Sequence, residues 1–155
     1  MQVELQNAMQ HLVDTQSLNL KEISRFTPAD FRVGIQWLVS EEQNDMAQAL
    51  AEAGLALFPL SEDILAMAGL LAMTREDWSL AIELLQDLRD VQQERTQPMT
   101  YRMLARALFC NLDPADAVQT VEEGLSHWPQ DADLLAERAA MASSSMALPA
   151  SGVHS

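Results

Sequence analysis

Cysteine occurs once, at Cys110, so the chain cannot close an internal disulfide and nothing in it asks for an oxidising compartment. Lysine is nearly absent: Lys21 and the arginines make nine cations against 23 acids, a formal net charge of −14. That balance excludes a phosphate-binding face, which needs clustered Lys and Arg, so no nucleic-acid partner is expected and an acidic partner surface is disfavoured. Aromatic residues make up only 5% and glycine only five positions, although 48% of the chain is hydrophobic. That deficit excludes a strand-rich core and points to helices packed through Ala, Leu and Met, an all-α fold class. Long apolar runs are also missing. The longest, Ile64 to Met73, is about half what a bilayer crossing requires, and the start of the chain carries Glu4 without a basic stretch leading into an apolar one. Neither a membrane span nor a secretion signal is predicted, and the expected location is cytoplasmic.

Residues that carry chemistry are equally sparse. His11, His127 and His154 have no ligand spacing between them, neither HExxH nor CxxC occurs, and Cys110 has no partner placed to lower its pKa. The acidic pairs Glu41 with Glu42, Glu76 with Asp77, Glu122 with Glu123, and Asp131 with Asp133 lack the alternating acids, central Gly and closing Glu of a calcium loop. Several lie near predicted helix starts, where a carboxylate favours the dipole. No catalytic residue, metal or cofactor is expected, and the chain reads as a non-enzyme.

What is present is a repeating helical pattern, clearest over residues 61–95. Leu65, Ala68, Gly69 and Ala72 recur at three and four residues on one face of a first helix, and Ala81, Leu85 and Leu88 do so on a second. Thr74 to Asp77 form a polar turn between them. The small residues allow the two helix backbones to approach, which predicts a helical hairpin. Aligning Ala47, Ala81 and Ala117 gives intervals of 34 and 36, so two extra residues near Thr96 and Gln97 restore a period of 34. EAGLALFP at 52–59 and EEGLSHWP at 122–129 fall at the same phase, with Gly54 and Gly124, and Pro59 and Pro129, each 70 apart.

A 34-residue period built from two helices resembles the tetratricopeptide repeat. Counting from Pro28, Glu62 and Pro98, the small residue of position 8 is Gly69 and Ala105, with Ile35 departing from it. Position 20 is Ala47, Ala81 and Ala117, and position 32 is Pro59 and Pro129, with Gln93 in the middle copy. Position 4 is aromatic as Phe31 and Tyr101 and is Leu65 in the middle copy. The expected organisation is an N-terminal helical extension over 1–27 and three repeats over 28–131, at 28–61, 62–95 and 98–131. A capping helix at 132–141 and a disordered tail at 142–155 follow. The extension splits into a helix ending near His11 or Asp14 and a second short one. It either caps the first repeat or, as an amphipathic segment with no repeat before it, mediates self-association.

Function has to be argued from a site, and the resemblance implies one on the first helix of each hairpin. The wall positions give Arg32, Gln36 and Val39, then Ala66, Leu70, Met73 and Thr74, then Met99, Arg102, Arg106 and Phe109. Leu70, Met73, Met99 and Phe109 belong in a core rather than on a surface facing water, so a groove lined by them implies an extended peptide with apolar anchors, to which methionine adapts well. A helical phase shifted by one residue, or an N-terminal helix lying in the groove, would also account for them. Arg32, Arg102 and Arg106 would either bond a peptide's carbonyls and carboxylates or pair with neighbouring acids. Heat-shock co-chaperones of this fold hold a C-terminal carboxylate in a Lys and Asn clamp. Arg32 and Gln36 match one half of it loosely, whereas Met99 and Met103 stand where the other half needs basic residues.

Three repeats, a helical extension and an acidic balance, with LKEISRFTPADFRVGIQWL at 20–38 and EDWSLAIELL at 76–85, together resemble the class II chaperones of bacterial type III secretion. The tyrosine count differs from that family's groove, since Tyr101 stands alone. The resemblance implies a protein client held as an extended segment in apolar pockets, and a possible homodimer through residues 1–26. A general scaffold joining stably folded partners, or an accessory domain of an enzyme, are the other readings.

Overall fold

The computed structural model describes residues 2–147. These form nine α-helices, one 3-10 turn and no strand, and the chain divides into two compact units, Met1–Arg75 and Glu76–Ser155.

The first unit holds α1 (Val3–Thr15), α2 (Leu20–Ile23), α3 (Pro28–Ser40), α4 (Asn44–Leu57) and α5 (Glu62–Thr74). Helix α3 starts where it does because Thr27 and Asp30 form a reciprocal capping box with Pro28 in the first turn. Its core stripe, Phe31, Ile35 and Leu38, is wholly buried, each side chain contributing about 1.5–3 kcal/mol of burial. The Phe31 ring meets Phe26 and Phe58 edge to face, with centroids 5.5 and 6.1 Å away. Gly54 of α4 makes this possible, since a Cβ there would stand 3.0 Å from the Phe31 ring and 3.2 Å from Ile64 of α5. Helix α1 lies on α3 in the same manner, Met9 occupying the space above Gly34.

The second unit holds α6 (Trp78–Gln92), a 3-10 turn (Gln93–Arg95), α7 (Pro98–Cys110), α8 (Pro114–His127) and α9 (Ala132–Ala147). The two extra residues of the repeat fall just after the 3-10 turn and are pinned by buried polar groups. Gln92 Oε1 accepts from Thr100 Oγ1 at 2.7 Å and from Gln97 N at 3.3 Å, while Trp128 Nε1 donates to Thr96 O at 2.9 Å. Of the acids singled out in the sequence, Asp77 and Asp131 accept backbone N–H groups in the first turns of α6 and α9, and Asp113 does the same for α8.

The last three helices of each unit correspond. Helix starts at 28, 44 and 62 recur at 98, 114 and 132, a constant offset of 70 residues. Phe31 over Gly54 with Ile64 becomes Tyr101 over Gly124 with Leu134. One expectation is corrected: α9 does not stop at Met141 but continues through Ala147, into the stretch expected to be disordered. Ala and Met are good helix formers, no Gly or Pro interrupts 142–147, and buried Met141 anchors the helix midway. Residues 148–155 of that tail lie outside the described residues.

Candidate functional site

Helix α5 is apolar on nearly every side, so burying Ile64, Leu65, Ala68 and Ala72 in a core still leaves apolar side chains over. Leu70 is 46% exposed, and on the adjacent helix α3 Val39 is 40% exposed. Both line a recess of about 490 Å³ together with Gln36, Asn44, Met67, Leu71, Thr74 and Arg75, a volume in the range of small-ligand and side-chain pockets. Helices α3 and α5 run in the same direction here. Their amino-terminal halves are bridged by Arg32 Nε and Asp63 at 3.8 Å, whereas Val39 and Thr74, near their carboxyl-terminal ends, share the recess. The hydroxyls at this end turn inward on their own helices, Thr74 Oγ1 donating to Leu71 O and Ser40 Oγ to Trp37 O. Arg75, on the rim, is paired with Asp45 at 3.3 Å. The recess therefore presents mainly hydrocarbon.

The same seam recurs in the second unit, between α7 and α9, with other side chains along it. Arg102 repeats Arg32 and reaches Asp133, the repeat of Asp63, again at 3.8 Å. Where the first seam has Gln36 and Met67, the second has Arg106 and Glu137, which are hydrogen-bonded to each other. Glu137 also accepts from Arg102 Nε at 3.5 Å and is 7% exposed. Both arginines of this seam are thus paired with acids in this structure.

The other expected wall residues are distributed less tightly. Met99 on α7 is exposed and Phe109 half-buried. Ala66 and Met73 on α5 are half-buried and outside the recess lining, and Arg32 sits at the far end of the same seam. Met67, Leu71, Asn44 and Arg75 line the recess without having been expected to. Met67, Leu70, Leu71 and Thr74 fall at i, i+3, i+4 and i+7, and Gln36 and Val39 at i and i+3, so a search for the seam between neighbouring first helices would have found most of them.

A second hollow, about 220 Å³, lies in the second unit among Gln86, Arg89, Asp116, Gln119 and Glu123. Its charges are used internally, Arg89 pairing with Glu123 at 3.6 Å. Nearby, burial pushes the Tyr101 phenol above its ordinary pKa, and the Glu123 carboxylate adds to the effect. Among the described residues no three His, Cys, Asp or Glu side chains converge as a metal set, and no helix is long and apolar enough to cross a membrane.

No family model matches the chain, and no curated protein matches it in sequence. Solved structures do. The first repeat domain of Spaghetti (RPAP3), bound to the HSP90 peptide SRMEEVD, superposes with a TM-score of 0.67 at 11% identity, over 76% of this chain and 91% of that one. MamA from Desulfovibrio magneticus RS-1 gives 0.67 at 15% identity, over 88% and 81%. YrrB, described as a protein of this repeat class with an unusual peptide-binding site, gives 0.60 at 15% identity, over 70% and 55%. At these identities the likeness is one of fold, and the fold is that of the tetratricopeptide repeat.

Proposed function

We propose that this tetratricopeptide-repeat chain is a protein-interaction module that receives an extended segment of a client protein through the recess between α3 and α5. The observation that carries the reading is the exposure of Val39 and Leu70 around a recess floored by Met67 and Leu71. Apolar side chains left in water at a concave site are accounted for by a ligand that covers them. The likeness to solved structures described with a bound peptide or a peptide-binding site supports it.

Gln36, Val39 and Leu70 are the proposed contacts, with Arg32, Ala66 and Met73 flanking them on the same two helices. Within the second unit, Met99 and Phe109 of α7 are proposed as contacts of their own, and Arg102 and Arg106 hold α9. In the finer form of the proposal the chain is a cytoplasmic chaperone of bacterial type III secretion, as the sequence resemblance implies, keeping an apolar segment of a translocator covered until export. Residues 1–26 are the proposed surface for a homodimer.

The test is to capture binding partners with the tagged chain from its native host, then express each captured protein alone and together with the chain. The proposal expects a secreted protein recovered in near-stoichiometric amount that aggregates or is degraded when expressed alone. A partner that is stable and soluble by itself would replace the chaperone reading with that of a scaffold.

A further inference from the structure

The recess lies where two helices end. Val39 is in the last turn of α3 and Thr74 closes α5, so the carbonyl ends of both helices, each carrying a partial negative charge, lie beside the cavity. The last turns of both helices hold no basic residue, although Arg75 follows α5 directly as its C-cap. Arg75 on the rim is paired with Asp45. Exposed Glu41 and Glu42 continue the chain directly from α3, and the protein as a whole carries −14. At the other end of the seam the charges balance in the Arg32 and Asp63 pair. The recess is thus apolar inside and negative at one end.

We infer that the client segment carries a lysine or arginine beside its apolar anchor, with the anchor between Val39 and Leu70 and the cation towards the carboxyl-terminal ends of α3 and α5. The inference rests on the peptide-binding reading above and adds the charge and direction of the occupant. It also separates this chain from a site for acidic peptides. A carboxylate placed at that end would face two helix carbonyl ends and no uncommitted cation of the recess lining. In the matching seam of the second unit, Arg106 and Glu137 are hydrogen-bonded to each other where the first unit has Gln36 and Met67.

The experiment is fluorescence anisotropy with the full chain and synthetic peptides of about nine residues. They share one Leu, Met and Ile core and differ only in a terminal pair of Lys, Gln or Glu, with SRMEEVD as a fourth probe. The expected order is Lys, then Gln, then Glu, each step roughly three- to tenfold at low salt and narrowing as salt screens the charge. SRMEEVD is expected not to bind. Leu70→Gln, which changes an exposed side chain without adding charge, should weaken all three core peptides alike. Equal affinities, or a preference for Glu, would overturn the inference while leaving the groove standing. A Lys preference accompanied by no loss of affinity in Leu70→Gln would assign the cation to the general acidic surface and overturn the placement. A dimer that dissociates in Leu70→Gln would make a second copy the occupant and overturn the inference, and absence of binding by every core peptide would overturn the groove reading with it.

Discussion

Glu137 of α9 is buried against Arg106 of α7, at the place in the second unit that Met67 and Gln36 take in the first. A carboxylate withdrawn from water is tolerable only while its cations stay in place. Arg102 and Arg106 are themselves partly solvated, so the pair is worth less than a fully buried one. Replacing both by alanine should lower stability by about 1–2 kcal/mol, because it leaves Glu137 uncompensated. Glu137→Met in the same background should restore most of the loss. Urea denaturation of the three proteins checks both statements.

Gly124 should not tolerate even a methyl group. In an open helix, Gly→Ala stabilises by about 1 kcal/mol. Here the new Cβ would stand 2.9 Å from both Cβ and Cγ of Tyr101 and 3.1 Å from Leu134. The Tyr101 Cβ is fixed by its backbone and cannot swing away, so the helices must part. Gly124→Ala is expected to destabilise by about 1–3 kcal/mol, read as a fall in thermal midpoint.

The turns between consecutive helices should gain from glycine. Glu42, Glu76 and Leu112 all hold positive φ, at 59°, 59° and 64°, the left-handed region where a side chain is strained. Leu112 is 90% exposed and has no packing to lose. Leu112→Gly should stabilise by about 0.5–1 kcal/mol, the relief of strain exceeding the added freedom of the unfolded chain. A lower thermal midpoint would show that the Leu112 side chain does more than occupy the turn.

How much of this could be read from the chain depended on whether a feature was local. The Ala47, Ala81 and Ala117 register and the matched Gly54 and Gly124 carried the repeat, because helix pairing forces small residues at fixed phase. The partner of Arg106 could not be read in the same way. Glu137 lies 31 residues away on another helix, and only the packing of α9 on α7 brings the two together. Met67 and Leu71 were overlooked because the wall positions describe single helices, whereas the recess belongs to the seam between two. The extension of α9 was missed because a Ser- and Ala-rich tail reads as solvated until buried Met141 gives it an anchor.

Tyr101 is the single tyrosine, so its titration can be followed directly by phenolate absorbance. Burial, and then the Glu123 charge, favour the neutral phenol and raise its pKa above 10.0. The folded state thus holds this proton more tightly than the unfolded one. The associated stability is fully present below pH 10 and is lost as pH rises through the folded value. The titration midpoint of the native protein should lie above that of the denatured chain, and Glu123→Gln should move it down. A native midpoint at the denatured value would contradict the buried placement of the ring.

The central claim is tested most directly at Leu70. With the client identified by capture, its affinity for Leu70→Asp should be compared with wild type by calorimetry, alongside helicity and thermal midpoint. Loss of binding with both structural readouts nearly unchanged is the predicted result, since an exposed carboxylate costs the fold little and denies the recess to an apolar anchor. Undiminished affinity would place the client elsewhere, and an unfolded variant would assign Leu70 to the core; either would contradict the account.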